Sequence, residues 1–334
     1  MKHHPLISLI CLLGLIAAGC SVHEVPEGGD DSATVALSLN IILDEEMPLH
    51  AMVSYSTKAS ATEARYIVRF FPRIGDHYVT DTPFEFVKTE SELTDRTYSL
   101  GVYPMDYHVE VWADWIQGDI PFYNTADFGS IGVVTNPYSG ADSHRDAFCG
   151  EFDIDLSAYH TNSSIATAEV TLHRPNARFV FISTDREEFL RYWASELALI
   201  DGTGVKDPES IDLDTFKVRI HYPQFMPCTY NLHEGEVTDS ATGVWLETSM
   251  AKLKDGTVEV GWDWVLAAGE SASVMVSLEF FDSEGTLVNR IDNILIPIAP
   301  GKLTTITGKL LTSDLNNGIT IDPSFDGEFI VHIN

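Results

Sequence analysis

Apolar residues recur at every second position along much of this chain, and that spacing admits few folds. Val35, Leu37, Leu39, Ile41 and Leu43 fall on one face of an extended strand, because successive strand side chains point to opposite sides. Tyr66/Val68/Phe70, Tyr107/Val109/Val111/Ala113, Phe216/Val218/Ile220, Val258/Val260/Trp262/Trp264 and Val274/Val276/Leu278/Phe280 repeat the pattern between clusters of Gly, Pro, Asp and Asn. Short alternating strands with regular turn signals predict an all-β chain built from sandwiches. One segment departs from the pattern. Between Asp185 and Asp201, Phe189, Trp193, Leu197 and Ile200 recur at helical spacing and Asp185 is placed to cap the start, which predicts a single surface helix.

A chain of 334 residues accommodates one or two cores. The strand-like run Ile165–Leu172 ends just before Arg174-Pro175-Asn176, and a second run begins at Ala177. Pro175 cannot donate to a ladder, so we expect one β-sandwich over residues 34–174 and a second over 175–334, packed directly on each other. With 44% hydrophobic residues the chain can bury enough apolar surface to offset conformational entropy. Its 50 acidic side chains against 20 basic ones, a formal charge of −30, exclude nucleic acid as a partner, since nothing supplies the neutralisation of phosphates.

Residues 1–19 read as an export signal. Lys2 precedes an apolar run from Leu6 to Ala18, shorter than the roughly 20 residues a spanning helix needs. The Ala17-Ala18-Gly19-Cys20 block that follows resembles a bacterial lipoprotein signal, with Ala17 where Leu is commoner. That resemblance implies lipidation of Cys20 and a hold on the cell outer membrane through the lipid. Residues 20–33, small and acidic, then form a solvated tether. Once Cys11 and Cys20 are set aside, Cys149 and Cys228 are left in opposite halves of the chain, and we expect two buried free thiols. No CxxC spacing or other metal signature is present.

Catalytic signals are sparse. His108, Glu110, Trp112 and Asp114 share one face of a strand and Asp263 lies between two Trp residues; on a sandwich such polar residues mark the solvated side. His23-Glu24 and His233-Glu234 lack the second His of a zinc helix, and Gly-x-Ser-x-Gly is absent. Asp314-Leu-Asn-Asn-Gly318 departs from a calcium loop at Gly318 and Phe325. We therefore expect no enzyme, no metal and no cofactor. Trp112, Trp115, Tyr123 and Asn124 supply the alternative reading, a surface glycan-binding lipoprotein whose rings stack on sugars, although sandwiches usually bury such rings.

Five stretches carry a family likeness: Cys20–Glu27 (CSVHEVPE), Ser143–Gly150 (SHRDAFCG), His173–Val180 (HRPNARFV), Ile296–Leu310 (IPIAPGKLTTITGKL) and Gly318–Gly327 (GITIDPSFDG). They resemble the fimbrillin-like lipoproteins of type V pili. The resemblance implies two tandem transthyretin-like sandwiches, a place at the cell surface in or beside a fimbrium, and other fimbrial subunits as partners. In that family stalk subunits are matured by a protease that cuts after Arg and removes the lipidated first strand, opening a groove for a neighbour. Here no Lys or Arg lies between Cys20 and Lys58, and the first Arg is Arg65. The strand carrying Val35, Leu37, Leu39, Ile41 and Leu43 is thus expected to stay as its own groove filler, as in an anchor or terminal subunit. At the other end, Phe329, Val331 and Ile333 alternate on one face of Asp322–Asn334. Such a strand either complements a neighbour's sheet or closes its own.

Overall fold

The computed structural model describes residues 34–44, 62–75, 77–79, 83–135, 137–159, 165–201, 207–269, 272–312 and 329–333. The first half supplies β1 (Val35–Leu43), β2 (Thr62–Ile74), β3 (His77–Tyr78), β4 (Phe84–Glu90), β5 (Arg96–Val102), β6 (Asp106–Gln117), β7 (Ile120–Pro121), β8 (Tyr123–Asn124), β9 (Ile131–Val133), β10 (Phe148–Asp155) and β11 (Ile165–Leu172). The second half adds β12 (Asn176–Ser183), helix α1 (Arg186–Asp201), β13 (Lys217–Tyr222), β14 (Met226–Asn231), β15 (Glu236–Ala241), β16 (Val244–Ser249), β17 (Ala251–Lys252), β18 (Val258–Leu266), β19 (Ala272–Phe281), β20 (Leu287–Ile298), β21 (Leu303–Gly308) and β22 (Phe329–Ile333). The chain is all-β apart from α1 and a few single turns.

Alternation decides which sheets face each other. In the first half the β11-β1-β5 sheet turns Leu37, Leu39 and Ile41 onto Tyr66, Val68, Phe70, Tyr107, Val109 and Val111 of the sheet built on β10-β6-β2, with β4 also paired to β2. Each of these side chains is buried, and each large one contributes roughly 1.5–3 kcal/mol relative to exposure. Gly150 permits a close approach of β10 to β11: a Cβ there would stand 2.8 Å from the Thr171 carbonyl oxygen. Side chains of any size would push β10 off β11.

The second half repeats the arrangement. The sheet in the order β17-β18-β12-β21-β22 faces β16-β13-β19-β20 across Phe179, Phe181, Val218, Ile220, Val260, Val276, Leu278, Phe280 and Ile294. Helix α1 adds Phe189 and Leu190 to this core, and Phe189 meets Phe216 edge-on at 5.1 Å. The Asp185 carboxylate is engaged by the turn at the far end of β21, accepting from Thr312 N at 2.7 Å and Thr312 Oγ1 at 2.6 Å. Asp185 therefore ties the start of α1 to the end of β21, its carboxylate engaged by Ser183, Leu311 and Thr312 rather than by the first helical N–H groups as the sequence suggested.

One small sheet ignores the 174/175 boundary. Its order is β15-β14-β9-β8, with Tyr230 opposite Ile131 and Thr229 opposite Gly132, so two strands come from each half. Around it lies a third buried cluster of Ile67, Trp112, Tyr123, Phe128, Tyr230, Leu232 and Leu266. The halves are thus joined by a sheet and a core of their own. Among the described residues no helix is long and apolar enough to cross a membrane.

Candidate functional site

For a strand-exchanging reading, the chemistry lies in the terminal strands and in what holds them. β1 occupies the middle of its sheet, parallel to β11 from Ala36 to Leu43 and antiparallel to β5 from Val35 to Ile41. Val35, Leu37, Leu39, Ile41 and Leu43 are all buried. Ladder bonds on both sides and a fully buried face make β1 an integral part of the sandwich.

Arg65, the first arginine of the sequence, lies within β2 and is paired to β6. Its guanidinium grips Asp114 in a two-pronged bond, Nε to Oδ1 at 2.9 Å and Nη2 to Oδ2 at 2.6 Å. Asp114 is completely buried; desolvation pushes its carboxyl up against the opposing pull of Arg65. A protease needs an extended, accessible backbone, and Arg65 in its native place offers none. Lys58 lies outside the described residues, as do Cys20, the signal, the tether and the Asp314–Gly318 loop.

β22 is placed differently. Among the described residues it pairs on one side only, parallel to β21, with Thr304 opposite Phe329 and Gly308 opposite Ile333. The C-terminal strand is therefore the edge strand of its own half's sheet. Pairing of this kind leaves one row of backbone donors and acceptors free along the rim.

The joint between the halves corrects the sequence reading most. Glu110, Trp112 and Asp114 point away from the first core as their alternation requires, yet all three are fully buried, because the joint sheet and its cluster, drawn from both halves, cover that face. His233, from the turn after β14, bonds the Glu110 Oε1 through Nδ1. His108 Nδ1 donates to Asp153 Oδ1 at 2.8 Å, while its Nε2 lies 3.5 Å from both Glu110 Oε1 and Glu151 Oε2. The hydrogen bond with Glu110 and then, against the cost of desolvation, that with Asp153 push the His108 imidazole up to about 9.

Asp263 is likewise buried rather than solvated. Its Oδ2 accepts from Tyr222 Oη at 2.6 Å and Tyr138 Oη at 2.8 Å, and its Oδ1 from Ala141 N at 3.1 Å and Trp264 N at 2.9 Å. Burial and the neighbouring Asp263 charge hold both tyrosines well above their ordinary range. Every lone pair that matters has a donor, which is how a carboxylate survives in such a place. The signal that could have exposed this layer was present: large Trp rings interleaved with the carboxylates on a face that should have been wet.

The structure does not assemble the glycan platform. Trp112 and Tyr123 are buried and meet edge-on at 5.4 Å, Trp115 is half-buried against His144, and Asn124 alone is exposed. No sugar approaching from outside reaches the first two rings. Cys149 and Cys228 are both free, and Cys228 is only partly buried. Burial pushes the Cys149 thiol up to about 12, and the thiolate is the nucleophile. Native protein at pH 8 is therefore expected to leave Cys149 unmodified by iodoacetamide while denatured protein labels there within minutes, as peptide mass mapping would show. Rapid native labelling of Cys149 would contradict its placement.

The profile of a family of unknown function, DUF6562, matches residues 29–334. The chain belongs to that family. No curated protein matches the sequence. Among solved structures the chain is similar to the fimbrial anchor protein Mfa2 from Porphyromonas gingivalis, at 9% identity and a TM-score of 0.39 over 77% of this chain and 82% of that one. A fimbrial assembly protein from Parabacteroides distasonis aligns at 12% identity and a TM-score of 0.39 over 82% and 90% of the two chains. A Bacteroides thetaiotaomicron protein provisionally named as polysaccharide-binding aligns at 12% identity and a TM-score of 0.42 over 77% and 80%.

In this DUF6562 chain two of the stretches singled out in the sequence meet at the joint. Arg174 of HRPNARFV clamps Asp146 of SHRDAFCG at 2.8 and 3.0 Å and stacks its guanidinium over Phe148 at 4.5 Å. Asn176 Nδ2 donates to the Arg145 carbonyl at 2.8 Å. Burial raises the Asp146 carboxyl while Arg174 draws it back. These motifs therefore serve the junction and also secure the end of β1, since His173 Nδ1 bonds Asp44 Oδ2 at 2.9 Å and Arg174 Nη1 donates to the Asp44 carbonyl at 3.3 Å.

Proposed function

We propose that this chain is a non-enzymatic, lipid-anchored surface protein: a fimbrial subunit of anchor or terminal type that keeps its first strand and meets its neighbour through strand complementation. The observation that carries this reading is β1. It is buried between two partner strands, and no Lys or Arg lies between Cys20 and Lys58. A subunit that cannot shed its first strand cannot open that groove, so it ends a polymer rather than extending it. The resemblance of the sequence to the fimbrillin-like lipoproteins supplies the setting, two sandwiches divided near 174/175 and a place at the outer membrane. The names of the similar structures add no weight, since the alignments are too loose to carry function.

Cys20→Ser tests the anchor. Buried acyl chains contribute about 0.8 kcal/mol per methylene, and several chains together make attachment effectively irreversible. The variant is expected to leave the membrane fraction on detergent-free washing, while the wild-type chain stays and begins at a lipidated Cys20. A wild-type surface form that instead begins at Tyr66 would make this a stalk subunit.

The second test addresses β22. Ladder bonds contribute roughly 0.5–1.5 kcal/mol each, and among the described residues the strand is paired on one side only, so deleting residues 328–334 is expected to leave a folded monomer of somewhat lower stability. That monomer should no longer co-purify with fimbriae. Collapse of the second half on deletion would mean that Phe329, Val331 and Ile333 serve only their own sheet. Full fimbrial incorporation of the truncated chain would remove the donor role altogether.

A further inference from the structure

The face of β6 and β10 beside the joint carries a set of ligand atoms that the fimbrial reading does not use. His108 Nε2 lies 3.5 Å from Glu110 Oε1 and 3.5 Å from Glu151 Oε2, and one ligand atom from each of the three residues lies within 4.8 Å of the others. At 3.5 Å these contacts sit at the outer limit of hydrogen bonding. They suit something between them. Zinc bonds nitrogen and oxygen at about 2.0–2.2 Å, so adjacent ligand atoms of a tetrahedral site stand about 3.3–3.6 Å apart.

Two further features point the same way. Glu110 is fully buried, yet its Oε2 has no hydrogen-bond partner among the described residues. An orphaned carboxylate oxygen in the interior is costly, and a cation held by Oε1 would lower that cost by offsetting the charge that the carboxylate shares between its two oxygens. The imidazole is also oriented from behind. Asp153 Oδ1 accepts from His108 Nδ1 at 2.8 Å, which fixes the ring and aims Nε2 at the two glutamates. A carboxylate behind a histidine is the usual outer support of a bound metal. His233 holds Glu110 from the other side through Oε1.

We propose that His108, Glu110 and Glu151 bind a divalent transition-metal cation of the zinc class, with Asp153 and His233 as positioning residues and water completing the shell. The nitrogen ligand disfavours calcium and magnesium, which take oxygen. Three carboxylates crowd one imidazole here, and a double positive charge offsets them better than a single proton. Binding replaces the proton on Nε2, so one proton passes to the buffer for each cation taken up. Glu151 and Asp153 are exposed enough for the cation to enter from solvent.

Zinc titration of the chelator-stripped full chain, followed by calorimetry, tests the site. One saturable equivalent is expected. Glu151→Gln, at an exposed position, should weaken uptake at least tenfold with its metal-free unfolding midpoint unchanged, and Asp153→Asn about 10–100-fold. Equal uptake by Glu151→Gln would assign the zinc to other histidines and overturn the proposal, as would the absence of saturable binding by the wild-type chain. If Asp153→Asn lowers the metal-free midpoint but leaves the affinity alone, Asp153 is a structural partner only and its positioning role fails.

Discussion

Replacing Arg65 by Met is expected to cost about 3–5 kcal/mol, because the change leaves the Asp114 carboxylate buried without its partner. Arg65 provides both prongs of that clamp, and Asp114 has no exposure to water. Against a total stability of about 5–15 kcal/mol, the loss moves the urea midpoint far enough to measure without ambiguity. The double replacement Arg65→Met with Asp114→Leu removes the charge that needed compensation, and most of the loss should return. If the double variant is as unstable as the single one, the clamp is a packing element and its electrostatic account is wrong.

An aspartate at Leu39 is expected to be worse still. Leu39 lies at the centre of β1, opposite Ala168 of β11 and Tyr98 of β5, with none of its surface exposed. The variant forfeits roughly 1.5–3 kcal/mol of apolar burial and must also desolvate a carboxylate, which costs several kcal/mol more. The first-half core should lose its fixed packing, read as lost near-ultraviolet dichroism and rapid proteolysis at sites before 174. Ala36→Asp places the same charge on the exposed side of the same strand, where surface changes usually stay within about 0.5 kcal/mol. Comparable damage from both would show that β1 tolerates no charge on either face and would undo the inside-outside assignment.

These two sites illustrate what a single sequence discloses. The alternation at Val35–Leu43 could be read because β1 has one inward and one outward face, and a period of two reports just that. The helix between Asp185 and Asp201 was legible for the corresponding reason. Glu110, Asp114 and Asp263 were misread for a reason equally physical: periodicity distinguishes the two faces of a sheet but cannot tell whether the outer one meets water or another part of the chain. β18 shows the extreme case, with all nine residues buried, Glu259 and Asp263 included. The ligand set at His108 escaped too, since it draws on β6 and β10, which no local spacing connects. β14 and β15 left no clear mark, because strands that curl around a joint alternate poorly.

The two terminal strands also differ in how they would bear load. A pull entering from the N-terminal end runs along the axis of β1, where eight register pairs to β11 and seven to β5 resist together. Such a strand slides only when many bonds fail at once. β22, held on one flank by five pairs, opens from its free end one bond at a time. On the proposed reading, with a lipid holding the N-terminal end, the protein would be a joint with unequal grips, the firmer one at β1 and the weaker at β22.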